Sequence, residues 1–162
     1  MRPIGRRRTT VAVTSAGRGF TALELLLTLA LAGVVAAGAA LVWPQVDAAL
    51  RLEEGVHQLV ADLHDTRVLA IASAAKARLV FVRGGGSYTL ERADDAGAYH
   101  PSARRWLPRG VHVDDVNSGG DLAFTARGNA ENGTVVLADT RGVRASVKLN
   151  QRGRVTIDRS GT

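Results

Sequence analysis

Between Leu25 and Trp43 the chain runs for 19 residues without a charged side chain. A helix of that length spans about 28 Å at 1.5 Å per residue, close to the thickness of a hydrocarbon core. The run therefore reads as a membrane-crossing helix, and a single acid, Glu24, stands at its mouth. A carboxylate costs about 2.5 to 3.5 kcal/mol at the centre of an inserted helix. Its position calls for a partner charge.

The flanks set an orientation. Arg2, Arg6, Arg7, Arg8 and Arg18 precede the run with no acid among them, and Asp47, Arg51, Glu53 and Glu54 follow it. Positive charge is retained on the cytoplasmic side, so the N-terminus is expected inside and the remainder in the periplasm or outside the cell. The same placement removes a bulk argument for nucleic-acid binding. The net charge is +6, but five of the 21 basic residues lie in that leader, leaving 16 against 15 acids from Phe20 onward. There is no cysteine, which excludes a disulfide framework and a thiolate metal site. At 162 residues the chain has room for one domain besides its N-terminal segment.

Three ordinary accounts of the N-terminus compete: a cleaved secretory signal using Ala37-Gly38-Ala39-Ala40, a twin-arginine signal using Arg6, Arg7 and Arg8, and a plain signal anchor. The uncharged run is longer than the roughly 7 to 15 residues of a signal peptide's apolar region. None of the three explains Glu24.

Pro44 removes one helical donor and is expected to end or kink the first helix. An amphipathic pattern then resumes. Leu52, Val56, Leu59, Val60, Leu63, Arg67 and Ala70 recur at spacings of three and four to about Ala75, while Glu53, Glu54, Asp62 and Asp65 fall on other faces. After residue 76 the period becomes two. The stretch ARLVFVRGGGSYTLER reads as strand, glycine turn and strand. A phosphate-binding loop would need a helix after its glycines, and a strand pattern follows instead. Residues 93–110, polar and punctuated by Pro101 and Pro108, read as a loop. Further strands are expected at Val111 to Val116, Asp121 to Thr125, Thr134 to Ala138, Val143 to Leu149 and Arg154 to Ile157, divided by glycine-containing turns. Val143, Ala145, Val147 and Leu149 alternate with Arg144, Ser146 and Lys148, the pattern of a half-buried strand with a basic outer face. The fold class is α+β, a long N-terminal helix packed on a mostly antiparallel sheet body.

The histidines and acids form no reactive constellation in the sequence. His57 and His64 are seven residues apart on the helix, too far for a chelating pair, and no H-E-x-x-H pattern is present. His100 and His112 stand alone, without a nucleophile motif. Asp94-Asp95, Asp114-Asp115 and Asp121 lack the spacing of a calcium loop and read as solvated acids. Neither catalytic nor metal-binding residues are assigned, no cofactor is expected, and the chain is read as non-enzymatic.

The stretch Gly19-Phe20-Thr21-Ala22-Leu23-Glu24 followed by LLLTLALAG resembles the class III signal of type IV prepilins and type II secretion pseudopilins. The resemblance implies cleavage after Gly19 by a prepilin peptidase and N-methylation of Phe20. It implies an assembly role for Glu24, whose carboxylate would pair with the new terminal amine of a neighbouring subunit. Such a buried pair serves register and specificity better than stability. Ala22 and Leu23 stand where Leu and Ile are frequent in the family. The implied organisation is a leader over 1–19, a transmembrane and assembly helix over 20–43, its amphipathic continuation over 44–76 and a β-rich body over 77–162.

The body is similar to one branch of that superfamily, the GspH/FimT group of minor pseudopilins. Arg67 with Ala70-Ile71 stands where that group has its helix-end signature, and Phe124, Gly128, Gly153 and Arg154 stand at later recurrent positions. The resemblance implies a minor subunit of a type II secretion or type IV pilus-like filament, held in the inner membrane by one span. Its expected partners are other pseudopilins or pilins, the prepilin peptidase, the inner-membrane assembly platform and a secreted protein substrate. The competing implication is DNA uptake by a FimT-like minor pilin. Residues 141–162 carry Arg141, Arg144, Lys148, Arg152, Arg154 and Arg159 against the single acid Asp158, a surface that phosphates would attract. The candidate nucleic-acid contacts are Arg144, Lys148, Arg152 and Arg154. The group's G-R-x-R motif is incomplete here, since Gly153-Arg154-Val155 is followed by Thr156.

Overall fold

The computed structural model describes residues 20–159. They fall into two units, residues 20–41 and residues 42–159. Helix α1, Ala22–Ala72, contributes to both.

In the first unit every residue from Phe20 to Ala40 is exposed. The helix is long and apolar enough to cross a membrane, with a mean hydropathy of 2.5 over its most apolar window. Pro44 does not end α1. Proline deletes one donor of the ladder, and the flanking residues carry the helix on.

In the second unit α1 has a buried face. Leu52, Val56, Leu59, Leu63 and Ala70 are all buried, as their spacing predicts. Asp62, placed by its polarity on an outer face, is instead 6% exposed. A hydrogen bond from the Tyr88 hydroxyl to its Oδ2 at 2.6 Å explains how a carboxylate tolerates that position. The helix stops three residues before the expected Ala75. Ala74 adopts φ 50°, with Ala75 N–H donating to the Ala70 carbonyl at 3.2 Å and Ala74 N–H to the Ile71 carbonyl at 3.2 Å. This is a left-handed helix stop usually built on glycine.

Two four-stranded antiparallel sheets complete the unit. The first has the order β3-β2-β1-β5, from β1 (Ala77–Phe81), β2 (Ser87–Ala93), β3 (Tyr99–Trp106) and β5 (Asp121–Phe124). The second has the order β4-β6-β7-β8, from β4 (His112–Val116), β6 (Gly133–Ala138), β7 (Arg144–Leu149) and β8 (Val155–Asp158). Leu59, Leu63, Leu79, Phe124, Val135 and Val147 belong to one buried cluster that joins the helix to both sheets.

The hairpin of β1 and β2 forms with Phe81 opposite Tyr88 and Gly84 at φ 74°. The expected loop over residues 93–110 is a correction: its middle, Tyr99–Trp106, is β3. Its polarity misled because β3 lies at the sheet's end, with six of eight residues exposed. Pro101 is tolerated there because an edge strand lacks a second neighbour, and the register shifts at Leu90/Glu91 beside it. In β7, Val143 falls outside the strand and is 41% exposed, while Ser146 is buried. The Ser146 hydroxyl donates to the Asp158 carbonyl at 3.2 Å, which satisfies it.

Candidate functional site

Gly19 lies outside the described residues. Phe20 is 76% exposed and lies two residues before the first residue of the helix, Ala22. Thr21 caps α1: its Oγ1 accepts the Glu24 backbone N–H at 3.2 Å. Glu24 therefore occupies the first turn, where unpaired N–H groups and the helix dipole favour a carboxylate. The cap is written locally in the spacing Thr21-x-x-Glu24, a capping-box pattern. Glu24 is exposed, with the apolar side chains of Leu23, Leu25, Leu26 and Leu27 exposed around it.

The basic C-terminal region looks different in space than in sequence. Arg144 Nε lies 2.9 Å from Asp114, Lys148 Nζ 2.8 Å from Asp158, Arg159 2.6 Å from Glu53 and Arg141 2.8 Å from Asp139. Asp114 and Glu53 come from elsewhere in the chain, Asp158 comes across the β7–β8 pairing, and Asp139 sits two residues before Arg141. Burial opposes the charge on Asp139, yet the Arg141 guanidinium and the N–H groups of Val143 and Arg141 hold its carboxyl below the usual range. Of the four candidate nucleic-acid contacts, Arg152 and Arg154 alone lack a carboxylate partner among the described residues, and both are exposed.

Several other acids are also engaged. Asp121 and Glu91 both hold Arg78, at 2.9 and 2.8 Å, and Asp115 pairs with Arg83. Asp94 Oδ1 accepts the N–H groups of Ala96 and Ala98, and its Oδ2 contacts His100 Nε2 at 2.8 Å. His57 approaches Glu53 at 3.6 Å on the helix surface. Among the described residues no three His, Asp or Glu side chains converge as a metal site would require.

The scattered residues Arg67, Gly128 and Gly153 meet. Gly128 and Gly153 have φ of 77° and 71°, in the turns after β5 and β7. A Cβ on Gly153 would lie 2.8 Å from the Gly128 carbonyl oxygen and 2.9 Å from Arg67 Nε. Arg67 Nη1 reaches the Gly153 carbonyl at 3.5 Å, and its buried Nε has no partner. Only glycine allows both turns to close over this side chain. The α1 end, the first sheet and the second sheet are thereby tied at one point.

No protein-family model matches the chain, and no curated protein matches it in sequence. Solved structures do. The minor pseudopilin EpsH from the type 2 secretion system of Vibrio cholerae superposes with a TM-score of 0.58 at 12% identity, covering 69% of this chain and 99% of that one. The type IV minor pilin FimU of Pseudomonas aeruginosa strain PAO1 superposes with a TM-score of 0.54 at 17% identity, covering 74% of this chain and 93% of that one. The chain has a pilin-like fold. At such low identity the shared content is the architecture: one long N-terminal helix and antiparallel sheets packed along its second half. In this chain the Arg67 junction joins the helix to the turns after β5 and β7.

Proposed function

We propose that this protein is a minor pseudopilin subunit of a type II secretion or type IV pilus-like filament. The observation that carries the reading is the coincidence of a pilin-like fold with an N-terminal helix exposed on every side and a carboxylate in its first turn. An all-apolar surface of that length has no place in water and needs a bilayer or the helices of other subunits.

In this reading a prepilin peptidase cleaves between Gly19 and Phe20 and the new amine is N-methylated. The 1–19 leader stays in the cytoplasm, residues 20–43 cross the inner membrane and the β-rich body faces the periplasm. The helix then leaves the bilayer for the filament. Glu24 accepts the Phe20 amine of a neighbouring subunit, and the match of charges sets the register. The body contacts neighbouring pseudopilins or a secreted protein, and the assembly platform supplies the movement. The role is structural, and no reaction is assigned to the chain itself. DNA uptake through Arg144, Lys148, Arg152 and Arg154 has less support, because two of those four cations are held by carboxylates of the same chain.

The test is the mass and N-terminal residue of the chain recovered from membranes of cells that contain a prepilin peptidase. The expected product begins at N-methylated Phe20. An intact Met1, or a start near residue 41, would overturn the reading.

A further inference from the structure

We propose that the outer edge of β3, from Ser102 to Trp106, is a docking edge for an extended acidic segment of a partner protein, which adds to the first sheet as a fifth strand. Exposed sheet edges are ordinarily shortened, covered or interrupted, because their free N–H and C=O groups recruit other chains. The other edges of this fold follow that rule. The outer side of β4 is filled by the glycine turn, with Gly84 N–H donating to the Val113 carbonyl at 2.7 Å and Val113 N–H to the Gly85 carbonyl at 3.0 Å. Strands β5 and β8 are four residues each. Strand β3 has eight residues, more than any other strand, and it lies at the end of its sheet. Pro101 interrupts only its first half.

The backbone alternation identifies the free groups. Leu107 N–H donates to the Gly86 carbonyl at 2.9 Å, so Leu107, Arg105 and Ala103 face β2 and Trp106 and Arg104 face away. The Trp106 carbonyl accepts Gln58 Nε2 at 3.0 Å. That leaves the Trp106 N–H and both backbone groups of Arg104 pointing outward, a short ladder for one added strand.

The side chains specify what would pair there. Trp106 is 68% exposed, and the Arg104 guanidinium lies 5.6 Å from its ring centre. Trp and Arg are the residue types that most often anchor protein interfaces. Arg105 turns inward, its Nε 3.5 Å from Asp62, whereas Arg104 has no carboxylate partner among the described residues. Residues 99–110 carry Arg104, Arg105 and Arg109 and no acid. The complementary occupant is acidic, with an apolar side chain for the Trp106 face. A nucleotide chain would use the ring and the cation but could not pair with the row of amide and carbonyl groups.

The probe is a fluorescein-labelled ten-residue peptide of alternating Val and Glu, added to the full chain in detergent micelles. Its Val/Lys counterpart, a form N-methylated along one edge and a thymidine oligonucleotide serve as comparators. The acidic peptide should raise anisotropy and slow amide exchange at Arg104 and Trp106. Arg104→Glu and Trp106→Ala should each weaken it about tenfold, the first through charge reversal and the second through loss of the anchor. Both side chains are exposed, so an unchanged unfolding midpoint confirms that the variants fold. Failure of the acidic peptide to bind, equal binding of the N-methylated form, or binding of the oligonucleotide with the same dependence on Arg104 and Trp106 in its place would overturn the proposal.

Discussion

Two stretches of the same helix differ in almost everything except their hydrogen bonding. Over residues 25–40 α1 carries no charge on any side, and every residue there is exposed. Over residues 52–70 it is polar on one side and buries Leu52, Val56, Leu59, Leu63 and Ala70 on the other. The first stretch is the more hydrophobic and contributes nothing to the body's core. Burial follows the pattern of apolar residues and what is available to cover them, and apolar content alone does not decide it.

Several substitutions would break or sharpen this contrast, read as denaturant unfolding of the body in the full chain held in micelles. Leu63→Ala removes a side chain with no exposed surface and should cost about 2 to 5 kcal/mol. Gly153→Ala combines a left-handed backbone with a Cβ pressed on Arg67 and the Gly128 carbonyl. It should cost about 1 to 3 kcal/mol, and a neutral result would mean that the junction yields freely.

Tyr88→Phe should cost somewhat less, about 1 to 2 kcal/mol, by leaving the buried Asp62 carboxylate without its hydroxyl. Burial, and next the Asp62 carboxylate, push the Tyr88 phenol above its ordinary range. The unfolded chain therefore loses that proton first as pH rises. The Tyr88 contribution is fully present below about pH 10 and declines above it. Y88F should show a shallower alkaline loss of stability than the wild type. At the far end, Leu31→Ala lies in the uncovered stretch and should change body stability by less than about 0.5 kcal/mol. A larger change would show that the first stretch does stabilise the body.

What could be read in the sequence follows the same division. The periodicity of residues 52–70 identified the buried face because one covering surface imposes one period, and five strands fell within a residue or two of their expected bounds. Strand β3 was missed because an edge strand is covered on neither side at its outer margin, so Arg104, Arg105 and Pro101 erase the alternation that marks its neighbours. Asp62 was misplaced because its partner Tyr88 is 26 residues away, and no local pattern encodes that pairing. The basic character of residues 141–162 was legible and its neutralisation was not. Asp114 and Glu53 are distant in sequence from Arg144 and Arg159 and arrive only with the fold. The cap on α1 was written locally, in Thr21 and Glu24.

The Arg67 junction also orders events in time. Arg67 is made early and contacts Gly153, which is 86 residues later. At synthesis rates of 5 to 20 residues per second, the helix waits roughly 4 to 17 s for the segment that finishes its enclosure. For part of that interval the leucines of its second half have only the first sheet to meet, since β5 ends at Phe124 and the second sheet is completed later. The seam at Arg67 is therefore among the last parts of the body to close, because it waits for the turn after β7.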